Sequence, residues 1–405
     1  MQTRRHFIGN VATGLAGSLA TGRVLGANDR IRIGVIGAGD RGMQLTREIL
    51  ASPSAEITAF ADIYTRRLDD AGLAVPNAAT HSGYHELLAD RSIDAVIIAT
   101  PQHLHGECFT AALEAGKHVY QEKTLALTLD EAKHMRTAFE RARNNRQIVQ
   151  IGHQGLSSGQ LTDAQNYLAS GSVGQVTAIR AHMYRNAPHG KPQWVRPLYP
   201  DMTPERIDWK AFLGVGAASA PPRPFDPARY INWRLYRDYS GGNVHESMSH
   251  QLAFWYRAMD LQIPRAVTMT AGLYRWKDGR EVPDTITVAM EHFEGLLFSW
   301  DSGLGNNEPG VREEVLGTDG TIVRGQQIRY LPQKVTRPAG SEMLGASPTQ
   351  PRAHIENFLA AIRGQAELNC PFEIGYRASV ACAMALRSYE EGRRVQWDPA
   401  KEEIV

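Results

Sequence analysis

Three cysteines in 405 residues, Cys108, Cys370 and Cys382, are too few and too scattered for a disulfide framework or a thiolate metal site. Net charge is also missing: the formal balance is +1, so nothing in it suggests a nucleic-acid footprint or an acidic-substrate channel. No apolar run reaches about 18 residues, so no membrane-spanning helix is expected. There are no internal repeats. What remains is an ordinary globular composition, 42% hydrophobic and 21% charged, with length enough for two cores.

The first 27 residues stand apart. Arg4 and Arg5 are followed by Phe7, a weakly apolar stretch rich in Gly, Ala, Ser and Thr, and small residues at Gly26 and Ala27. That order is the order of an export signal, and the arginine pair points to the twin-arginine route, which carries folded cargo. The expectation is a signal over 1–27 and a periplasmic or secreted protein.

Residues 28–152 alternate between short apolar runs and stretches of helical period. The runs are 31–36, 57–61, 95–100, 118–123 and 148–152; helical stretches such as 104–115 and 129–143 lie between them. Such alternation predicts a doubly wound parallel sheet with helices on both faces. From residue 153 to the C-terminus the pattern changes. Runs at 176–184, 267–274, 285–292 and 296–301 have little helix between them, which predicts a second α+β domain with a large, mostly antiparallel sheet. Residues 186–240 carry Pro, Trp, Arg and Tyr and read as a long ordered loop. Two amphipathic helices close the chain and are expected to pack back onto it.

Gly37-Ala38-Gly39-Asp40-Arg41-Gly42 fits G-x-G-x-x-G between a strand and a helix. The first glycine permits the turn, the second a close approach of diphosphate, the third close packing of helix on strand. Asp62 ends the next strand 20 residues after Gly42, where a carboxylate meets the ribose diol of a dinucleotide. Asp62 favours NAD by repelling a 2′-phosphate; Arg66 and Arg67 behind it leave NADP open. Thr100, Pro101, His103 and His105 follow one strand, and Glu122 and Lys123 end the next, so both groups are candidates for the cofactor crevice.

These stretches, with "DAVIIATPQHLHGE", "GKHVYQEKTLAL" and "YSGGNVHESMSHQLAFW", resemble the glucose–fructose oxidoreductase, inositol dehydrogenase and rhizopine-catabolism (Gfo/Idh/MocA) family, in its secreted twin-arginine branch. The resemblance runs over essentially the whole chain after the signal. It implies a Rossmann domain joined to an open antiparallel sheet, a homo-oligomer (dimer or tetramer) built through that sheet, and hydride transfer between a tightly bound nicotinamide cofactor and a sugar, glycoside or cyclitol hydroxyl. The family's Glu-Lys-Pro motif falls on Glu122-Lys123-Thr124, and its acid–histidine–aspartate motif on Glu246, His250 and Ala253. Lys123, His250 and Glu246 are therefore the catalytic candidates. Lysine polarises the carbinol oxygen, histidine takes its proton, and the glutamate orients His250 or binds a neighbouring hydroxyl. His153 and His245 are weaker candidates. The loop aromatics Trp194, Trp233, Tyr236 and Tyr239, with Arg185 and Arg234, suit a sugar's apolar faces and hydroxyls. Two alternatives stay open: an NAD-dependent glycoside hydrolase working by transient ring oxidation and elimination, and a non-catalytic sugar-binding protein. No metal is expected, and no membrane partner.

Overall fold

The computed structural model describes residues 30–188, 190–333, 342–344 and 351–405. The expected export signal over 1–27 lies outside these residues. Among them no helix is long and apolar enough to cross a membrane, and no cluster of His, Cys, Asp or Glu has the makings of a metal site. The three cysteines are buried as free thiols.

The first sheet has six strands: β1 (Ile31–Ile36), β2 (Ala55–Ala61), β3 (Ala79–His81), β4 (Ala95–Ile98), β5 (His118–Gln121) and β6 (Val149–Ile151). Their order is β3-β2-β1-β4-β5-β6, and every pairing is parallel. β4 is buried at every position and β1 at all but one, as a sheet covered on both faces requires. The covers include α1 (Asp40–Leu50), α2 (Thr65–Ala74), α3 (Tyr84–Ala89), α4 (His105–Glu114) and α5 (Leu129–Asn144). α5 starts where Thr128 caps the backbone N–H of Glu131. The predicted strands and helices form within a few residues of their expected ends. β3 and α3 were not foreseen, because β3 is three residues of exposed or half-exposed edge with no apolar run.

After α6 (Gly159–Ala169), β7 (Val176–Met183) opens a second sheet of ten strands. It continues through β8 (Ala266–Gly272), β9 (Thr285–Glu291), β10 (Leu297–Gly303), β11 (Val311–Gly317), β12 (Gly320–Arg324), β13 (Ile328–Pro332), β14 (Glu342–Leu344), β15 (Val395–Asp398) and β16 (Glu403–Ile404). All neighbours are antiparallel except β7 and β10, which run parallel at the sheet's centre. The long segment after β7 is ordered, as expected, and holds two short helices, α7 (Trp209–Leu213) and α8 (Pro227–Ile231). Its own core gathers Met202, Ile207, Phe212, Tyr230, Ile231 and Tyr239 around Tyr64 of the first domain. α9 (Ser249–Met259) and α11 (Phe372–Glu391) fill the space between the sheets, while α10 (Pro351–Ile362) puts Ile355, Phe358 and Leu359 into the core under β1.

Candidate active site

The strand order reverses between β1 and β4, and a crevice opens beyond their carboxyl ends. The glycine turn forms its floor. Gly37 has φ +93°, and a Cβ there would sit 2.9 Å from the Ala99 backbone. A Cβ on Gly42 would lie 1.9 Å from the Gly37 carbonyl, so only glycine lets α1 start this close to β1. Gly39 precedes α1 without any side-chain cap, which leaves helix N–H groups for an anion. Asp62 braces the turn: its carboxylate accepts the Ala38 N–H at 2.8 Å and the Tyr64 N–H at 3.0 Å.

Two adjoining cavities, each about 330 Å³, run along the crevice. The first holds Asp62 and Arg67 on one wall and Phe212, Val215 and Tyr230 of the long segment on the other. The second holds Asp40, Arg41, Glu122, Lys123, Arg234, Glu246 and His250. Trp233, Thr100 and Pro101 line both. The long segment is thus the outer wall of the crevice. It is pinned by the Arg196–Asp40 and Arg66–Asp201 ion pairs and by the bridge between Tyr64 and Ile207.

At the far end Lys123 Nζ donates to Glu246 Oε2 at 3.0 Å and to the Glu246 carbonyl at 3.3 Å. Arg234 Nε shares that carboxylate oxygen at 3.2 Å, and Gln102 Nε2 donates to the other oxygen at 2.8 Å. Burial opposes the charge on Glu246, but Lys123 and Arg234 outweigh it and hold the carboxyl down at about 2. Glu246 lies in a π-turn, Val244–Met248, directly before α9, and His250 in the first turn of α9. Such wide turns recur at functional sites because they re-aim side chains that a regular helix would spread. Glu246 and His250 line the same cavity.

His250 is partly exposed to the cavity, and no described residue hydrogen-bonds its ring. Burial, then the fields of Lys123, Arg41, Arg185 and Arg324, hold it well below its ordinary value, so it is neutral at pH 7 and able to accept a proton. His153 stands edge-on to it, ring centroids 5.3 Å apart, fully buried and without a hydrogen-bond partner. His245 is also buried; burial first, then the Lys123 charge, push it down to about 3.

Residues 31–153 match the model of an oxidoreductase family with an NAD-binding Rossmann fold, and residues 220–397 match the C-terminal α/β domain of the same family. The chain belongs to the Gfo/Idh/MocA oxidoreductase family. Inositol 2-dehydrogenase 1 of Saccharopolyspora erythraea is 26% identical over 379 residues, covering 90% of this chain and 96% of that protein. The scyllo-inositol 2-dehydrogenase (NAD(+)) of Bacillus subtilis is 29% identical over 147 residues, 36% of this chain and 42% of that one. Among solved structures, levoglucosan dehydrogenase with NADH and levoglucosan superposes at a TM-score of 0.68 and 19% identity, over 91% of this chain and 99% of that one. The WlbA dehydrogenase of Bordetella pertussis with NADH and UDP-GlcNAcA gives 0.68 at 18%, with the same coverage. At these identities the superpositions establish the shared fold.

As a member of the Gfo/Idh/MocA family the protein is an NAD-binding oxidoreductase, and its own residues fit that cofactor. The cradle tolerates no side chain at Gly37 or Gly42, Asp62 closes the first cavity, and Arg67 lies 3.7 Å from Asp62. Arg66, weighed for a 2′-phosphate, is turned to Asp201 at 3.0 Å and the Tyr199 ring.

Other sequence candidates land elsewhere. His103 and His105 are buried and bind backbone carbonyls: His103 Nε2 that of Phe212 at 2.6 Å, His105 those of Thr124 and Thr100. Burial pushes both down to about 4, so each is neutral with a single N–H, and that proton goes to a backbone carbonyl, for His105 to one of the two its ring nitrogens approach, rather than into the crevice. Glu122 does not face the cofactor freely either; it grips Arg41 at 2.7 Å across the crevice floor. Tyr236 has its ring covered by Arg229, and Tyr239 is fully buried among aromatics. Arg185 is exposed, with its guanidinium on Met183 Sδ. Of the proposed sugar platforms only Trp233 lines the cavities, and one of its faces already carries Arg234. Gln102 and Gln154 were overlooked. Each sits beside a residue that was weighed, His103 and His153, but a neutral amide carries no signal until its partners are known.

Proposed function

We propose that this enzyme oxidises or reduces a carbinol carbon of a sugar, glycoside or cyclitol, with Lys123 and His250 handling the hydroxyl. Bound NAD supplies the hydride acceptor or donor. The ammonium of Lys123 has three N–H groups; two are spent on Glu246, which leaves one for the substrate oxygen. That donor stabilises the charge that gathers on the oxygen as the C–H bond breaks. Neutral His250 takes the hydroxyl proton from oxygen while the C–H hydride passes to the nicotinamide, and the C–O bond becomes a carbonyl. Glu246 is a positioning residue: it keeps Lys123 charged and pointed. One observation carries the reading. The Lys123–Glu246 pair and an unpartnered, neutral histidine face one cavity that joins the glycine cradle.

The wall built by residues 186–240 supports a cofactor held through many turnovers. That suits the export reading, since a folded protein carries its cofactor out with it, through the twin-arginine route to the periplasm or beyond. The exposed apolar residues Leu297 and Val311 at the ends of β10 and β11 support assembly into a dimer or tetramer through the open sheet.

The test is mass spectrometry of freshly purified protein for bound nucleotide, then a panel of sugars, glycosides and inositols followed by NADH absorbance. NADH formation with one class of polyol is expected. Release of an aglycone with no NADH accumulating reassigns the enzyme to hydrolysis by transient oxidation. Sugar binding with an unchanged nicotinamide spectrum, and a Lys123→Met variant indistinguishable from wild type, reduces it to a binding protein.

A further inference from the structure

We propose that the substrate carries a carboxylate and that Arg234 receives it; this deepens the sugar-oxidoreductase reading and rests on it. The charges lining the second cavity pair off with one exception. Arg41 is answered by Glu122, Arg67 by Asp62 and Arg196 by Asp40. Lys123 and Arg234 have only Glu246 between them, both on its Oε2. The reacting end of the cavity therefore holds one cation more than its anions balance. Glu246 brings a single negative charge to these two cations, and Gln102 on its other oxygen is a neutral donor that leaves the balance unchanged.

Arg234 is held for a purpose its own contacts do not fulfil. Nε is committed to Glu246, and the guanidinium carbon sits over the Trp233 ring, 4.1 Å from its centroid. An ion pair and a ring contact together restrain the group. Its two terminal nitrogens have no hydrogen-bond or ion-pair partner among the described residues, although the side chain lines the cavity. A guanidinium restrained at Nε, with its two terminal nitrogens free, matches a planar two-oxygen anion in a bidentate grip. A neutral hydroxyl uses neither the second N–H nor the surplus charge. Among polyols the ligand with this chemistry is a sugar acid: a uronate, an aldonate or a carboxylated cyclitol. The cofactor's diphosphate has the same anionic character, but the α1 terminus has cations of its own, Arg67 beside Gly39 and Arg196 on Asp40.

The test uses full-length, NAD-loaded protein and matched pairs: glucose with glucuronate, galactose with galacturonate, sorbitol with gluconate. The acid of a pair is expected to give at least about tenfold higher kcat/KM than its neutral partner. Arg234→Gln should abolish most of that preference through KM. Arg234→Lys, which keeps the charge and loses the fork, should fall between. NAD affinity, read by fluorescence titration, should change less than about twofold in both variants. A wild-type enzyme that turns over the neutral partner as well or better overturns the proposal. So does an Arg234→Gln variant that binds NAD tenfold more weakly with its acid-to-neutral ratio intact, which would assign the fork to the diphosphate. If no polyol of either kind, in these pairs or in the wider panel, reduces NAD, the parent reading fails and takes this one with it.

Discussion

Thr124 Oγ1 donates a hydrogen bond of 2.8 Å to the carbonyl of His245. It links the loop beyond β5 to the π-turn of the second domain, one residue from Lys123 on one side and one residue from Glu246 on the other. The Lys123–Glu246 contact is thus set by a bolt between the two domains. The family motif has proline at this position, which has no hydroxyl to donate.

Removing that hydroxyl should separate function from folding. Thr124→Val keeps the volume and loses the bond, while Ser249 still satisfies the His245 carbonyl. A loss of about 1 kcal/mol in stability is expected. The fall in kcat should be larger than such a loss implies, about tenfold. Thermal melts and steady-state rates on the same preparation check it.

Lys123→Met removes the one donor aimed at the substrate oxygen. The expected loss is about 10²- to 10³-fold in kcat, the usual effect of deleting a charge-stabilising donor. NAD binding should survive, because the cradle lies on β1 and α1. A nucleotide titration alongside single-turnover rates separates the two effects.

Gly42→Ala places a methyl 1.9 Å from the Gly37 carbonyl, a backbone atom with nowhere to go. The turn must open. We expect loss of bound nucleotide by mass spectrometry and a destabilisation of about 1–3 kcal/mol or more, as for overpacking elsewhere. Gly72→Ala on α2 has nothing within 4 Å of its Cβ and serves as the control.

The pH dependence of stability follows from Glu246. Its folded value, about 2, lies below the ordinary 4.5, so its contribution is complete above about pH 4.5 and is lost as pH falls through about 2. Urea melts across that window should show wild-type stability declining with acid. Glu246→Gln should be less stable at pH 7 and show a shallower decline. Parallel curves would mean the carboxyl is not held ionised by its partners.

Restoring the family's missing aspartate should fail. Ala253 is fully buried in the main hydrophobic cluster and is not among the residues that line the cavity. Ala253→Asp puts an unpaired carboxylate there, and a loss of several kcal/mol or outright misfolding is expected. Soluble yield and melting temperature decide it.

Much of this enzyme could be read along the chain, because its features are local. The parallel sheet announces itself in short, fully apolar runs, and the dinucleotide cradle in three glycines whose spacing is a property of one turn. Lys123 follows from its place beyond a strand end. The relations that make a site are long-range and carry no local mark. Gln102 is neutral and unremarkable until folding sets it against Glu246, 144 residues later. His103 and His105 read in sequence as candidates for the cofactor crevice, and only folding shows that their rings are buried against backbone carbonyls. Tyr236 and Tyr239 promise a sugar platform, but Arg229 and the aromatic core cover them first. Residue type and spacing determined which elements form and where the cofactor lies. Packing between distant segments decided which side chains keep a free edge, because a hydrogen-bonding group is available to a ligand only after the rest of the chain has declined it.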